Sequence, residues 1–96
     1  MATPEAKVKA KVKKVLNDMN AYYVMPVTSG FGNSGAPDFL VCYRGRFIGI
    51  ECKAGTGKVT ALQQDNLNRI VENGGTALVI NESNIDSLSQ EFCKYD

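Results

Sequence analysis

Apolar residues recur along the first part of the chain at the spacing of one helix face. Thr3 and Pro4 are the residue types of a helix N-cap and a first helical position. After them, five apolar side chains recur at the spacing of one helix face. They are Val8, Val12, Val15, Leu16 and Met19. The pattern predicts a helix over residues 4–20.

The middle of the chain changes to short apolar runs that are rich in β-forming residues. Residues 22–27, 39–43 and 47–50 have this character, and Pro26 favours an edge position for the first run. Arg44 and Gly45, between the second and third runs, predict a tight turn. We therefore expect an antiparallel hairpin flanked by an edge strand.

The last third of the chain predicts a helix, a strand and a final helix. Thr60 and Gln63 have capping-box spacing at the start of a helix that continues to about residue 73 and ends before Gly74 and Gly75. The apolar residues expected to face inward on this helix are Leu62, Leu67, Ile70 and Val71. Residues 76–80 are all apolar or Thr and suit the interior of a small sheet, and Ser83 is placed to cap a helix that carries Ile85, Leu88 and Phe92. The order is αβββαβα, and a helix between the third and fourth strands permits their parallel pairing, giving an α/β fold with a mixed sheet.

Two acids lie at matching positions on the two arms of the hairpin. If residues 44 and 45 form the turn, Asp38 is opposite Glu51, and Lys53 lies on the same face two residues further on. If the turn is at residues 45 and 46, Asp38 is opposite Lys53, but the three groups still converge. Opposed carboxylates repel unless a cation neutralises them, and Mg²⁺ prefers such oxygen ligands.

These residues resemble the PD-(D/E)xK nuclease superfamily and, more closely, its virus-type replication-repair branch, VRR-NUC. Members of this branch look like chains that carry, in order, a helix with an early Glu, the motifs Gly-x-Pro-Asp and Glu-x-Lys, and a helix that bears Gln and ends in Gly-Gly. The matching residues here are Glu5, Gly35-Ala36-Pro37-Asp38, Glu51-Cys52-Lys53, Gln63 and Gly74-Gly75, in that order and over nearly the whole chain. The ordered set is specific, whereas each short motif alone is weak. The resemblance implies a restriction-endonuclease-like core in a single domain over residues 1–96.

The same resemblance implies an endodeoxyribonuclease that depends on Mg²⁺ or Mn²⁺. It assigns the metal to Asp38, Glu51 and the backbone carbonyl of Cys52, and the handling of the attacking water to Lys53. Small members of the branch look like homodimers that resolve four-way junctions, in phage or bacteria. Nicking of flaps or of duplex DNA, and a noncatalytic DNA-binding module, are the alternatives. The number of metal ions is left open.

Three of these assignments have simpler structural alternatives. Glu5 can join the metal site, or it can be a favourable charge at the positive end of its helix. Gln63 can orient the site or only complete the capping box. Lys53 can act in catalysis or only form a structural ion pair with Glu51.

Composition narrows the chemistry further. The chain has 96 residues, a net charge of +1, three cysteines and no histidine. The absence of histidine excludes His-metal nucleases, Ser-His-Asp hydrolases and Cys-His nucleophiles. Cys42, Cys52 and Cys93 lack metal-ligand spacing and predict buried, reduced thiols.

A domain this small gains stability from dimerisation. No membrane-spanning or signal-like segment is evident, which predicts a soluble, cytoplasmic protein.

Lysines and small residues offer further contacts to DNA. Five lysines crowd the first helix (Lys7, Lys9, Lys11, Lys13 and Lys14), and they either contact phosphate or only solvate the helix. We assign DNA contact to Lys7, Lys11, Lys14 and Lys58. Residues 29–35, which include Phe31, form either a substrate loop or an ordinary connector. Residues 54–58 lack the full P-loop spacing, so no nucleotide cofactor is expected.

Overall fold

A computed structural model describes residues 2–27 and 35–96 as a four-stranded sheet with three helices. The elements are α1 (Pro4–Asp18), β1 (Tyr22–Val24), β2 (Phe39–Tyr43), β3 (Arg46–Cys52), α2 (Ala61–Glu72), β4 (Thr76–Ile80) and α3 (Leu88–Cys93), with a 3-10 turn at Ile85–Ser87. The strand order is β1-β2-β3-β4, in which β3 and β4 are parallel and the other pairs are antiparallel. The α/β class, the mixed sheet and the element order αβββαβα are confirmed.

The turn between β2 and β3 fixes the register of the hairpin. Arg44 and Gly45 both have positive φ, 52° and 79°, as a two-residue primed turn requires. Tyr43 pairs with Arg46, and the ladder continues to the pair of Phe39 with Ile50. The first of the two sequence registers is therefore confirmed, and the alternative with a turn at residues 45 and 46 is wrong.

The main core lies on the face of the sheet that α1 and α3 cover. Val8, Val12 and Leu16 recur every four residues and are buried, so α1 presents one continuous apolar stripe to the sheet. Alternate strand residues meet this stripe, together with two aromatic or aliphatic residues of α3. These buried partners are Phe39, Val41, Ile48, Ile50, Cys52, Leu88 and Phe92.

Helix α2 covers the opposite face of the sheet, mainly over β4 and β3. Gly49 allows the close approach of this helix, because a Cβ there would lie 2.5 Å from Ile70 Cδ1. Leu67 is buried as predicted, but the inward positions predicted for Leu62 and Val71 are wrong, since these residues are 51% and 56% exposed. The physical reason is that α2 contacts the sheet along a stripe narrower than its apolar pattern.

The β1 and β2 side of this face lacks a covering helix among the described residues. By strand register, Tyr22, Cys42 and Phe47 form one cross-strand row, and Val24 and Leu40 form the next. Tyr22, Val24, Cys42 and Phe47 are all exposed. We call these five residues the open sheet face.

Several element ends differ from the sequence expectations. The first helix ends at Asp18 because Asn20 takes a left-handed conformation and the Ala21 N–H donates to the Leu16 carbonyl, which closes the helix. The first strand stops at Val24, before Pro26, which lacks an N–H for the ladder.

The predictions for the last strand and helix need correction as well. Within the described residues β4 is an edge strand, so the expected interior position is wrong. The Asn84 side chain protects part of that edge by donating to the Val79 carbonyl. Ser83 donates to Asn81 and does not cap a helix, because the chain first makes the 3-10 turn from Ile85.

The described residues also bear on the cysteines and on membrane-spanning helices. All three cysteines are free, but only Cys52 is buried, so the buried positions predicted for Cys42 and Cys93 are wrong. Cys42 is exposed because it lies on the open sheet face. Within residues 2–27 and 35–96, no helix combines the length and apolar character that a membrane span needs.

Candidate active site

The two predicted acids meet where the hairpin ladder ends. Phe39 pairs with Ile50, so Asp38 and Glu51 face each other one step beyond the last paired residues. The Cys52 N–H donates to Asp38 Oδ2 at 2.8 Å. The Asp38 carboxylate thus accepts the hydrogen bond that a backbone carbonyl of the neighbouring strand would otherwise accept. This bond holds the Asp38 side chain in place at the end of β3.

Glu51 is buried, with only 3% of its surface exposed, and Lys53 accompanies it. Lys53 Nζ lies 3.5 Å from Glu51 Oε2, and both side chains are largely shielded from water. Burial first, and then the negative charge of Asp38, raise the pKa of Glu51 to about 7, although the Lys53 ammonium opposes both effects. Negative charge at this site is therefore incompletely neutralised by the protein itself.

Helix α1 brings two further charged groups to the acids. Lys9 Nζ is 3.3 Å from Asp38 Oδ1 and 3.9 Å from Glu5 Oε2. Burial would lower the pKa of Lys9, but the carboxylates of Asp38 and Glu5 outweigh it and raise that pKa above its ordinary value. The structure therefore brings together Glu5, Asp38, Glu51 and Lys53, and it adds Lys9.

Lys9 was missed as a site residue by the sequence analysis. It was one of five lysines on the first helix, and its charge alone did not distinguish it from the others. Its spacing of four residues from Glu5, which places the two side chains on one helix face, was the available signal.

The donor set of this site fits a hard divalent cation. Within the described residues, no three or more His, Cys, Asp or Glu side chains lie together in a group that could hold a metal ion. Mg²⁺ does not need such a group, since it is commonly held by one or two carboxylates, with water and substrate phosphate completing its coordination. Asp38 and Glu51 provide those carboxylates, and a cation would offset the repulsion that raises the pKa of Glu51.

The Cys52 thiol does not belong to this donor set. It is fully buried, and burial first, then the neighbouring carboxylates, raise its pKa to about 12. A thiol that stays protonated is neither a nucleophile nor a metal ligand. The role predicted for Cys52 concerns its backbone carbonyl, which stays a prediction.

Glu82, which the sequence analysis also missed, holds the loop after Lys53. The Gly55 N–H lies 3.0 Å from both carboxylate oxygens of Glu82 and donates to them. Gly55 has a positive φ of 57°, and a further turn bond joins Gly57 to Ala54. Because Glu82 lies 27 residues away, no local pattern could identify this contact.

The remaining predicted residues lie at other contacts. Gln63 forms the capping box, its side-chain oxygen accepting from the Thr60 N–H at 2.9 Å, so its structural role is confirmed and its orienting role stays a prediction. Lys14 pairs with Asp18, and Lys58 is exposed beyond the loop that follows Lys53.

Lys7 and Lys11 are exposed and line a hollow with Glu82 and Ile85, which does not include Asp38 or Glu51. Their contact with DNA stays a prediction. The proposed substrate loop, residues 29–35 with Phe31, lies outside the described residues except for Gly35.

Comparison with solved structures identifies the fold. No family model and no curated protein matches the sequence. A solved structure described as a VRR_NUC domain is similar to this chain with a TM-score of 0.76 and 26% sequence identity. The similarity covers 95% of this chain and 99% of that one. With its acids, lysine and glutamine in the expected order along the matching fold, this chain has the fold of a VRR-NUC domain, and the match supports a nuclease domain.

Proposed function

We propose that this domain is a Mg²⁺- or Mn²⁺-dependent endonuclease that hydrolyses phosphodiester bonds in DNA, as a homodimeric resolvase of four-way junctions. The observation that carries the proposal is the pair of facing carboxylates, Asp38 and Glu51, with the Lys53 ammonium 3.5 Å from the second. A module that only binds DNA gains nothing from buried acids that face a polyanion.

Asp38, Glu51 and the Cys52 carbonyl would hold the metal ion in this mechanism. When bound, Mg²⁺ or Mn²⁺ lowers the pKa of the attacking water and neutralises charge on the phosphate. Lys53 orients the water and stabilises the negative charge that develops on the phosphate. Glu51 must be ionised to act as a ligand, and its pKa of about 7 means that the metal competes with a proton near neutral pH.

The homodimer is supported by the open sheet face. Tyr22, Val24 and Phe47 expose large apolar side chains on the same face of the sheet, which favours burial against a second copy. A two-fold dimer carries two sites related by symmetry. Two such sites suit paired incisions across a branched substrate, which is why we favour a junction over a flap or a linear duplex.

Cleavage of labelled DNA tests this function. Four-way junction, flap and linear duplex substrates are incubated with Mg²⁺, Mn²⁺ or EDTA, using the unmodified protein, Asp38→Asn and the control Asp65→Asn. Asp65 is an exposed acid of α2, so its substitution makes the same chemical change away from the site. We expect Asp38→Asn to lose about 10²-fold or more in rate, because it weakens a metal ligand, and Asp65→Asn to keep full activity.

The substrate pattern decides the finer assignment. Symmetric, metal-dependent cuts in the junction support a resolvase. Cleavage of flap or duplex with the junction spared keeps the nuclease and rejects resolution. Binding of DNA without cleavage in either metal, by protein that is folded, rejects catalysis and leaves the noncatalytic module.

A further inference from the structure

One lysine of α1 makes direct contact with the carboxylates. Lys9 lies between Glu5 and Asp38, and its side chain is 35% exposed. Lys7 and Lys11, two residues before and after it, are exposed and line a different hollow, which includes Glu82 and Ile85. The position of Lys9 is therefore specific to the site and is not a general property of a basic helix.

The two oxygens of Asp38 have different partners. Oδ2 accepts the Cys52 N–H, a bond that also closes the hairpin ladder, whereas Oδ1 faces the Lys9 ammonium at 3.3 Å. Breaking the first contact would disturb the backbone, but breaking the second requires only that a flexible side chain rotates. A new ligand of Asp38 would therefore approach Oδ1.

A divalent cation and the Lys9 ammonium cannot share that oxygen without strong repulsion. Mg²⁺ binds carboxylate oxygen at about 2.0–2.1 Å, so both positive charges would lie within a few ångströms of each other. In a partly buried site such repulsion is weakly screened. Binding of the metal and the contact between Lys9 and Asp38 thus exclude each other.

We propose that Lys9 is an internal counter-ion, which occupies the cation position at Asp38 Oδ1 in the metal-free protein and is displaced when a divalent cation binds. This inference rests on the proposed metal site. It assigns Lys9 a definite effect, which is to lower the affinity for the metal. It also explains how two facing carboxylates are tolerated before any metal arrives.

Measurement of Mn²⁺ binding without DNA tests this proposal. The electron paramagnetic resonance signal of free Mn²⁺ is titrated with the unmodified protein, with Lys9→Met and with the control Lys13→Met. Met keeps the length of the side chain and removes its charge, and Lys13 is exposed on the same helix. We expect Lys9→Met to bind Mn²⁺ about tenfold more tightly than Lys13→Met, because only Lys9 opposes the metal at close range.

A second measurement needs no substitution at Lys9. The side-chain resonances of labelled lysines are followed while Mg²⁺, which is diamagnetic, is added to the unmodified protein. We expect the Lys9 ε-methylene signal to move towards the position of exposed lysines, with half-saturation at the dissociation constant for Mg²⁺. This result stands even if Lys9→Met does not fold, which circular dichroism will show.

The outcomes separate this inference from the proposed function. Binding of Mn²⁺ by the unmodified protein, with equal affinity in Lys9→Met and Lys13→Met, overturns the role of Lys9 alone. A Lys9 signal that stays unchanged at saturating Mg²⁺ does the same. Failure of all three proteins to bind Mn²⁺ overturns both the counter-ion and the metal site.

Discussion

Ionisation of Glu51 makes the metal-free domain less stable as the pH rises. This carboxyl is almost fully buried, and burial and Asp38 raise its pKa from 4.5 to about 7 in the folded protein. In the unfolded chain it titrates near the ordinary value. The substitution Glu51→Gln removes this titration while keeping the size of the side chain, so the two proteins should respond differently to pH.

The sign and size of the effect follow from proton linkage. Below pH 4.5, Glu51 is protonated in both the folded and the unfolded states, and its ionisation has no effect on stability. Between pH 4.5 and 7 the folded state holds a proton that the unfolded state has lost, so the free energy of unfolding falls by about 1.4 kcal/mol for each pH unit. Above pH 7 both states are ionised, and a loss of about 3 kcal/mol is complete.

Urea unfolding in EDTA at pH 5 to 8 measures this loss. We expect Glu51→Gln to equal the unmodified protein within about 1 kcal/mol at pH 5 and to be about 3 kcal/mol more stable at pH 8. The control Glu72→Gln changes an exposed acid of α2 and should keep the unmodified pH dependence. Parallel curves for Glu51→Gln and the unmodified protein would refute the burial argument, because every other titrating group is common to both.

Three further predictions concern the packing around the site. Thr60→Ala should lower the free energy of unfolding by about 1 kcal/mol because it removes the helix cap, and Gln63→Ala should lower it by a similar or smaller amount. If Gln63→Ala reduces the rate of DNA cleavage more than Thr60→Ala does, Gln63 has a role beyond capping. Gly49→Ala should lower the free energy of unfolding by about 1–3 kcal/mol, because the added Cβ meets Ile70 Cδ1. Adding Ile70→Val, which removes that Cδ1 atom, should recover part of this loss in urea unfolding, whereas equal losses with and without Ile70→Val would contradict the clash. A thiol reagent at pH 8 should label two cysteines in the native protein and three in urea, because Cys52 is buried and has a pKa of about 12. Rapid labelling of all three cysteines without denaturant would show instead that Cys52 is accessible.

The strand pairing and the two acids could be predicted because they depend on local patterns. Alternation of apolar residues and the turn at Arg44 and Gly45 fix which residues face each other, so the convergence of Asp38 and Glu51 followed from counting. Chain order also matched the VRR-NUC motifs. Helix α1 was recognised for the same reason, since its apolar stripe is regular.

Contacts between distant elements could not be predicted in this way. The salt bridge of Lys9 with Asp38 depends on how α1 lies across the sheet, and the contact of Glu82 with Gly55 depends on the packing of two loops. The exposure of Leu62 reflects the narrow stripe along which α2 contacts the sheet, which an apolar pattern within one helix does not encode. These features belong to tertiary geometry.

The two-residue turn of the hairpin has a consequence for insertions and deletions. Extra residues at Arg44 and Gly45 would lengthen a loop at the far end of the hairpin and leave the pairs below it intact. One extra residue inside Phe39–Tyr43, unless a bulge absorbed it, would turn Asp38 to the opposite side of the sheet from Glu51. Relatives of this domain should therefore vary in the length of the turn, while the count of residues from each acid to the turn changes only in steps of two.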